Sequence, residues 1–324
     1  MMNKFNVFKQ IIRESNYDNT YKMAWAKSLV EISTQIDLTN EKITIQFSDI
    51  AKKYIKYYWN QTIFFNLKQG SNPLKPPVIL TCVKELIDKY FMCAQSKAPE
   101  LYEKAETKFE KINLLEDYNR TIKKTIGALK KDVSWRFKIL NGKDTELYSY
   151  IKGNDFLEID SSLLQLLKEN EQDLYDLINY RWGLILETFN STPRINKKVK
   201  IMDEREIKRS SLNKFKSYLD LENKEHKCFI CNKKIEDHLS IDHVIPWSYM
   251  YSDDVWNLVY VCQTCNSSKN NRIPTRIEII KLIKRNKNLL KCMEDNGINN
   301  KIYDELKISI EKDYVNKFWT GSKS

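Results

Sequence analysis

Three histidines in 324 residues leave imidazole chemistry very few places to sit. Glycine and proline number seven each, too few for the turn-dense connections of a loop-rich β-sandwich. No apolar run approaches the roughly 20 residues of a membrane helix, which excludes a helical membrane protein. The opening stretch MMNKFNVFKQIIRESNYDN is broken by charges and amides and lacks the apolar centre of a signal peptide. Acid is also scarce relative to base. Asp and Glu total 43 against 54 Lys and Arg, a net charge of +11 that favours a polyanionic partner and disfavours an acidic one. A solvated lysine-rich surface has the same surplus, so charge alone leaves the partner open.

What is present reads as a mainly helical protein, long enough for two or three domains. TYKMAWAKSLVEIS (20–33) places Met23, Ala26, Leu29 and Val30 on one helical face. ITIQF (43–47) alternates like a short strand, with Ser48 and Asp49 able to cap a following helix, DIAKKYIKYYWNQTIFFNL, that is aromatic inside and lysine-studded outside. KQGSNPLKPPV (68–78) is the clearest breaker. Further helices are expected in VKELIDKYFMCAQ, LYEKAETKFEKINLLEDY and SLLQLLKENEQDLYDLINYRWGLILETF, and after Pro274 in RIEIIKLIKRNKNLLKCME and KIYDELKISIEKDYVNKFW. The organisation is a helical N-terminal domain (1–190), a basic linker or strap (191–225), a central module (226–275) and C-terminal helices (276–324).

Seven cysteines are an odd number, and the N-terminal reading implies a reducing, cytoplasmic setting where paired cysteines bind metal. Cys228, Cys231, Cys262 and Cys265 form two CxxC knuckles 30 residues apart. Four thiolates match the tetrahedral preference of zinc and leave no open position, so this Zn²⁺ is structural. His226 and His238 flank the first knuckle as alternative ligands. Cys82, Cys93 and Cys292 sit among apolar neighbours and read as free core cysteines.

Between the knuckles lies LSIDHVIPW, a loop SYMYSDDVW, the strand-like NLVYV (257–261), and then CNSSKNNR, a helix start. The series DHxxP, N-L-V and CxxCNxxK resembles the HNH endonuclease family, whose ββα-metal fold is a single-metal phosphodiesterase site. The resemblance covers about residues 226 to 275. The intervals from His243 to Asn257 and on to Asn266 are similar to those of HNH domains in CRISPR effector nucleases, which lack the cysteines.

The resemblance implies roles for the matching residues. Asp242 and Asn266 hold a catalytic divalent cation, Mg²⁺ or Mn²⁺, His243 is the general base, and Asn257 ties down the loop. Adjacent strand residues point to opposite faces, so Asp242 and His243 share a site only if the strand bends there. Asparagine at 266, where the naming pattern has histidine, favours Mg²⁺. Lys269 and Arg272 lie one and two turns beyond Asn266 and are the expected phosphate contacts. Asp253 and Asp254 read as loop-capping acids, and Trp247 and Trp256 as packing residues.

The implied function is a metal-dependent DNA endonuclease of restriction or phage defence, RNA being the less favoured substrate. The N-terminal domain would select when or where cutting occurs, through an activating partner or ligand, and a homodimer would let single-strand cutters act on both strands. The alternative is a zinc-dependent nucleic-acid-binding module whose nuclease site is inactive or partner-activated.

Overall fold

Apolar residues three and four apart drive 21–33 into a helix that is buried on almost every side. In this computed structural model, which describes residues 3–14, 16–72, 74–96, 98–190, 192–199, 211–269 and 271–319, that helix is α2 (Tyr21–Ser33), preceded by α1 (Lys4–Glu14). Burial of α2 forces its polar residues to find partners inside the protein. Lys27 donates to Asn179 at 3.0 Å, while Glu31 accepts from Lys53 at 2.7 Å and from Tyr57 at 2.6 Å.

The strand β1 (Lys42–Gln46) alternates exposed and buried residues, and α3 (Phe47–Phe65) follows without a break. Ser48 and Asp49 do not cap α3; its N-cap is Gln46, and no side chain bonds the first turn. Tyr54, Tyr58 and Trp59 of α3 are buried, and the helix ends at Asn66 in the left-handed region (φ 48°).

After the Pro-rich breaker come α4 (Val78–Cys93), α5 (Tyr102–Glu106) and α6 (Leu115–Ala128). The single helix expected over 101–118 stops at Glu106, and turns that end at Asn113, whose φ is +56°, precede α6. A π-helical turn, Leu129–Val133, extends α6. It leads to the hairpin β2 (Ile139–Leu140) and β3 (Lys143–Asp144), closed by Asn141 and Gly142, both with positive φ. β4 (Phe156–Asp160) pairs antiparallel with β1, Ile45 opposite Leu157 and Ile43 opposite Ile159. The run 162–189 splits at Asn170 into α7 (Ser161–Glu169) and α8 (Glu171–Phe189).

Two compact units divide the chain, residues 1–206 and 207–324. The expected strap does not stand apart. α9 (Ile195–Val199) buries Ile195 and Val199 in the first core, whereas Phe215 and Leu219 belong to the second; 200–210 lie outside the described residues. The described remainder of the second unit comprises a 3₁₀ turn (Leu212–Phe215), α10 (Lys216–Glu222), β5 (Ser240–His243), α11 (Trp247–Met250), a 3₁₀ turn (Val255–Asn257), β6 (Leu258–Val261), α12 (Gln263–Lys269), α13 (Arg276–Asp295), α14 (Lys301–Glu311) and α15 (Tyr314–Phe318). The last expected helix breaks at Asp313, with φ 53°. Of the free cysteines, Cys82 is buried but Cys93 is exposed, so Cys93 is not a core residue. Among the described residues no helix is long and apolar enough to cross a membrane.

Candidate active site and cysteine cage

β5 and β6 form a two-stranded antiparallel ladder with Asp242 opposite Val259 and His243 opposite Leu258. The knuckles sit at its edge. Phe229 donates its backbone N–H to Tyr260 O at 2.8 Å, which lays the first knuckle along β6, and Asn232 turns the chain back with φ +60°.

The four cysteine sulfurs lie within 4.8 Å of one another. Burial works to raise the Cys228 thiol, but the backbone N–H groups of Cys231, Cys262 and Ile230 outweigh it and bring the group down to about 7. Cys265 is pushed up to about 12 by burial and then by the thiols of Cys262, Cys231 and Cys228. One thiolate is thus prepared, and the crowding of the rest is what a shared cation relieves. The set fits structural zinc. His226 stands outside it, its Nε2 2.9 Å from Asp220 Oδ1 and its ring against Tyr260.

β5 directs its last two side chains to different partners. Asp242 faces α12, where Lys269 Nζ reaches its Oδ2 at 2.7 Å and also bonds the His243 carbonyl. The His243 ring, almost fully buried, turns to the loop before β6, its Nε2 3.0 Å from Asp253 Oδ1. Asp253 therefore does more than cap a loop. Its sequence signal was present, an acid ten residues beyond the histidine in a polar turn, but the loop's path is not legible from local pattern.

Asn257 is buried and clips residue 245 in both directions. Its Oδ1 accepts from Ile245 N–H and its Nδ2 donates to Ile245 O, both at 2.8 Å. Pro246 follows, at the point where the chain leaves the ladder. The turn that holds Asn257 is fixed from below by α13: Arg285 donates to Val255 O at 3.1 Å and Asn286 to Trp256 O at 2.9 Å. Arg285 is buried beside Glu222, at 3.4 Å, and burial lowers its guanidinium to about 10.

The two expected phosphate contacts are both engaged. Lys269 is only 7% exposed because its ammonium is held by Asp242 and the His243 carbonyl. Arg272 forms a two-pronged pair with Glu278, at 2.5 and 2.8 Å, where Glu278 also completes the capping box of α13 with Thr275. Asn266, half-buried one turn before Lys269, borders a cavity of about 390 Å³ with Ser240, Ile241 and Tyr260. Trp256 packs on Phe318 and Tyr314, and Trp247 on Tyr251.

No curated protein and no solved structure matches this chain. The HNH endonuclease family model matches residues 228–272, which span both knuckles, β5, the His243 loop, β6 and α12. In that segment the chain carries an HNH endonuclease module of the nuclease class, with a four-cysteine cage compatible with zinc.

Proposed function

We propose that the module hydrolyses phosphodiester bonds in DNA, with Asp242 and Asn266 holding a divalent cation and His243 as general base. One observation supports this above the others: Asp242 already holds a positive charge, the ammonium of Lys269 at 2.7 Å, so this corner of the site is built to take a cation. Oxygen donors suit Mg²⁺ or Mn²⁺. When bound, such an ion supplies neutralisation of the phosphate and of the leaving oxygen.

The residues of the chain divide the remaining work. With Nε2–H donating to Asp253, the neutral His243 ring carries its lone pair on Nδ1, which takes the proton of the attacking water. Asp253 keeps the ring in that orientation. Asn257 fixes the backbone two residues beyond His243 and so limits how far the ring can swing. Lys269 holds the charge of Asp242 until a cation replaces it.

A setting in restriction or phage defence accords with the helical leader that precedes the module. A second reading is a nucleic-acid-binding module that stays inert until a partner frees Asp242, and the Lys269 pair is what favours it. Supercoiled plasmid with Mg²⁺ or Mn²⁺ separates the two. Nicking by the wild-type chain that disappears in His243→Ala supports the nuclease. Equal cleavage by both proteins, or none from either with any divalent ion, would falsify it.

A further inference from the structure

The first unit contains a cavity of about 790 Å³, within the roughly 300–1,000 Å³ of ligand-binding clefts. Every residue of its wall belongs to the first unit, and none of the roles above uses it. Its wall is assembled from the loop before α2, the first turn of α2, the breaker segment, the π-helical turn and the β2–β3 hairpin.

Three features of the wall point to one ligand chemistry. The first is cationic. Lys22 is half-buried and lines the cavity with Arg136. Burial, followed by the charge of Arg136, lowers the Lys22 ammonium, and Asp18 only offsets this. Among the described residues neither Lys22 nor Lys75, a third cation of the wall, makes an ion pair or a side-chain hydrogen bond. Two cations on one wall without such partners leave charge for an anion to meet.

The second is aromatic. Trp135 borders the cavity and remains 46% exposed, with the Arg136 guanidinium 5.0 Å from its ring centroid, so an aromatic ring stands beside the cations. It is presented by the π-helical turn, in which Ser134 N–H reaches back to Leu129 O at 3.0 Å. Such turns are rare and concentrate at functional sites.

The third is the acceptor set. Of the three acids in the wall, Asp132 is 3.6 Å from Arg136 and Glu14 accepts from Gln10. Asp18 and the side chains of Asn16 and Asn141 remain to meet hydrogen-bond donors. A bare phosphate would gain nothing from the tryptophan and would be repelled by the acids. A base with an exocyclic amine, carried on a phosphate, uses all three features.

We propose that this cavity binds a nucleotide, with the phosphate at Lys22 and Lys75, the base on Trp135 and the base edge read by Asp18 and the asparagines. The same chemistry is offered by a free nucleotide and by a nucleotide turned out of a DNA strand. The inference does not depend on the nuclease reading, because every group it uses belongs to the first unit.

The test uses the full chain as His243→Ala with no added divalent cation, so that cleavage cannot intervene and the cysteine cage stays loaded. Binding is followed by calorimetry with the four deoxynucleoside 5′-monophosphates, inorganic phosphate and a 12-nucleotide single strand. Lys22→Met and Trp135→Ala serve as variants, with circular dichroism to verify folding. The expected result is saturable binding weakened at least about tenfold by each variant. If monophosphates bind, the source is a free nucleotide; if only the strand binds with the same sensitivity, it is a DNA nucleotide. No binding by any probe, binding indifferent to both variants in folded protein, or phosphate binding as tightly as the nucleotides would overturn the proposal.

Discussion

The imidazole of His243 rests on the carboxylate of Asp253, Nε2 to Oδ1 at 3.0 Å, with both side chains largely withdrawn from solvent. A ring held this way has one nitrogen committed and the other available. Asp253→Asn keeps the size of the side chain but removes the carboxylate that orients the ring. Under the proposed mechanism, kcat should fall about tenfold or more while KM for plasmid stays within about twofold. An unchanged kcat would remove Asp253 from the mechanism.

Lys269 and an incoming cation compete for Asp242. Lys269→Met should tighten Mn²⁺ binding several-fold, read directly by calorimetry or by electron paramagnetic resonance of free Mn²⁺. Asp242→Asn should abolish that binding. If Lys269→Met leaves Mn²⁺ affinity unaltered, the ammonium and the cation do not share the carboxylate.

A cation in the four-cysteine cage would brace a module whose two strands are only four residues long. Chelation of zinc, or Cys265→Ser, should unfold the second unit while the first, with its own core of buried tryptophans Trp25, Trp59 and Trp182, stays folded. Calorimetry should then show one transition lost and one kept. A single transition shifted as a whole would contradict the independence of the two cores.

Arg285 is buried with Glu222 and anchors the turn that carries Asn257. Arg285→Ala strands a half-buried carboxylate and removes both bonds to the Val255 carbonyl, so about 3 kcal/mol of stability should be lost by urea denaturation. Double replacement with Glu222→Ala should recover part of it, because no charge is then left alone.

The Arg272–Glu278 pair gives the acid limb of stability a definite sign. Arg272 bonding leads the causes that bring the Glu278 carboxyl from 4.5 to about 2. A depressed carboxylate stabilises the fold above its unfolded value, and that contribution disappears as pH falls from about 4.5 towards 2. Glu278→Gln should therefore be less stable than wild type at neutral pH, with the difference shrinking across that window. A constant difference down to pH 2 would show that the pair is not the cause.

Spacing and composition made α2, β1 and the cysteine pairs legible, because each is encoded locally: a 3.6-residue period, a two-residue period and a doubled CxxC. The splits at Asn113 and Asn170 were not, since asparagine reads as a tolerable helix residue until tertiary packing requires a turn there. The β2–β3 hairpin carried a readable Asn-Gly signal at 141–142, but its strands are only two residues long. At the site, residue types could be read but their partners could not. Lys269 looked like a surface cation until α12 was laid against β5, and Asp253 like a loop acid until the chain folded it back onto His243.

Arg285 and Asn286 lie 13 and 14 positions past the end of the matched segment, yet they brace the turn on which Asn257 depends. A fragment trimmed to residues 228–272 would keep the four cage cysteines, the acid and the imidazole and still lose the floor beneath them. Transplanting this module into another protein therefore means carrying α13 along, and variation in that helix can retune the site without touching any of the family's signature positions.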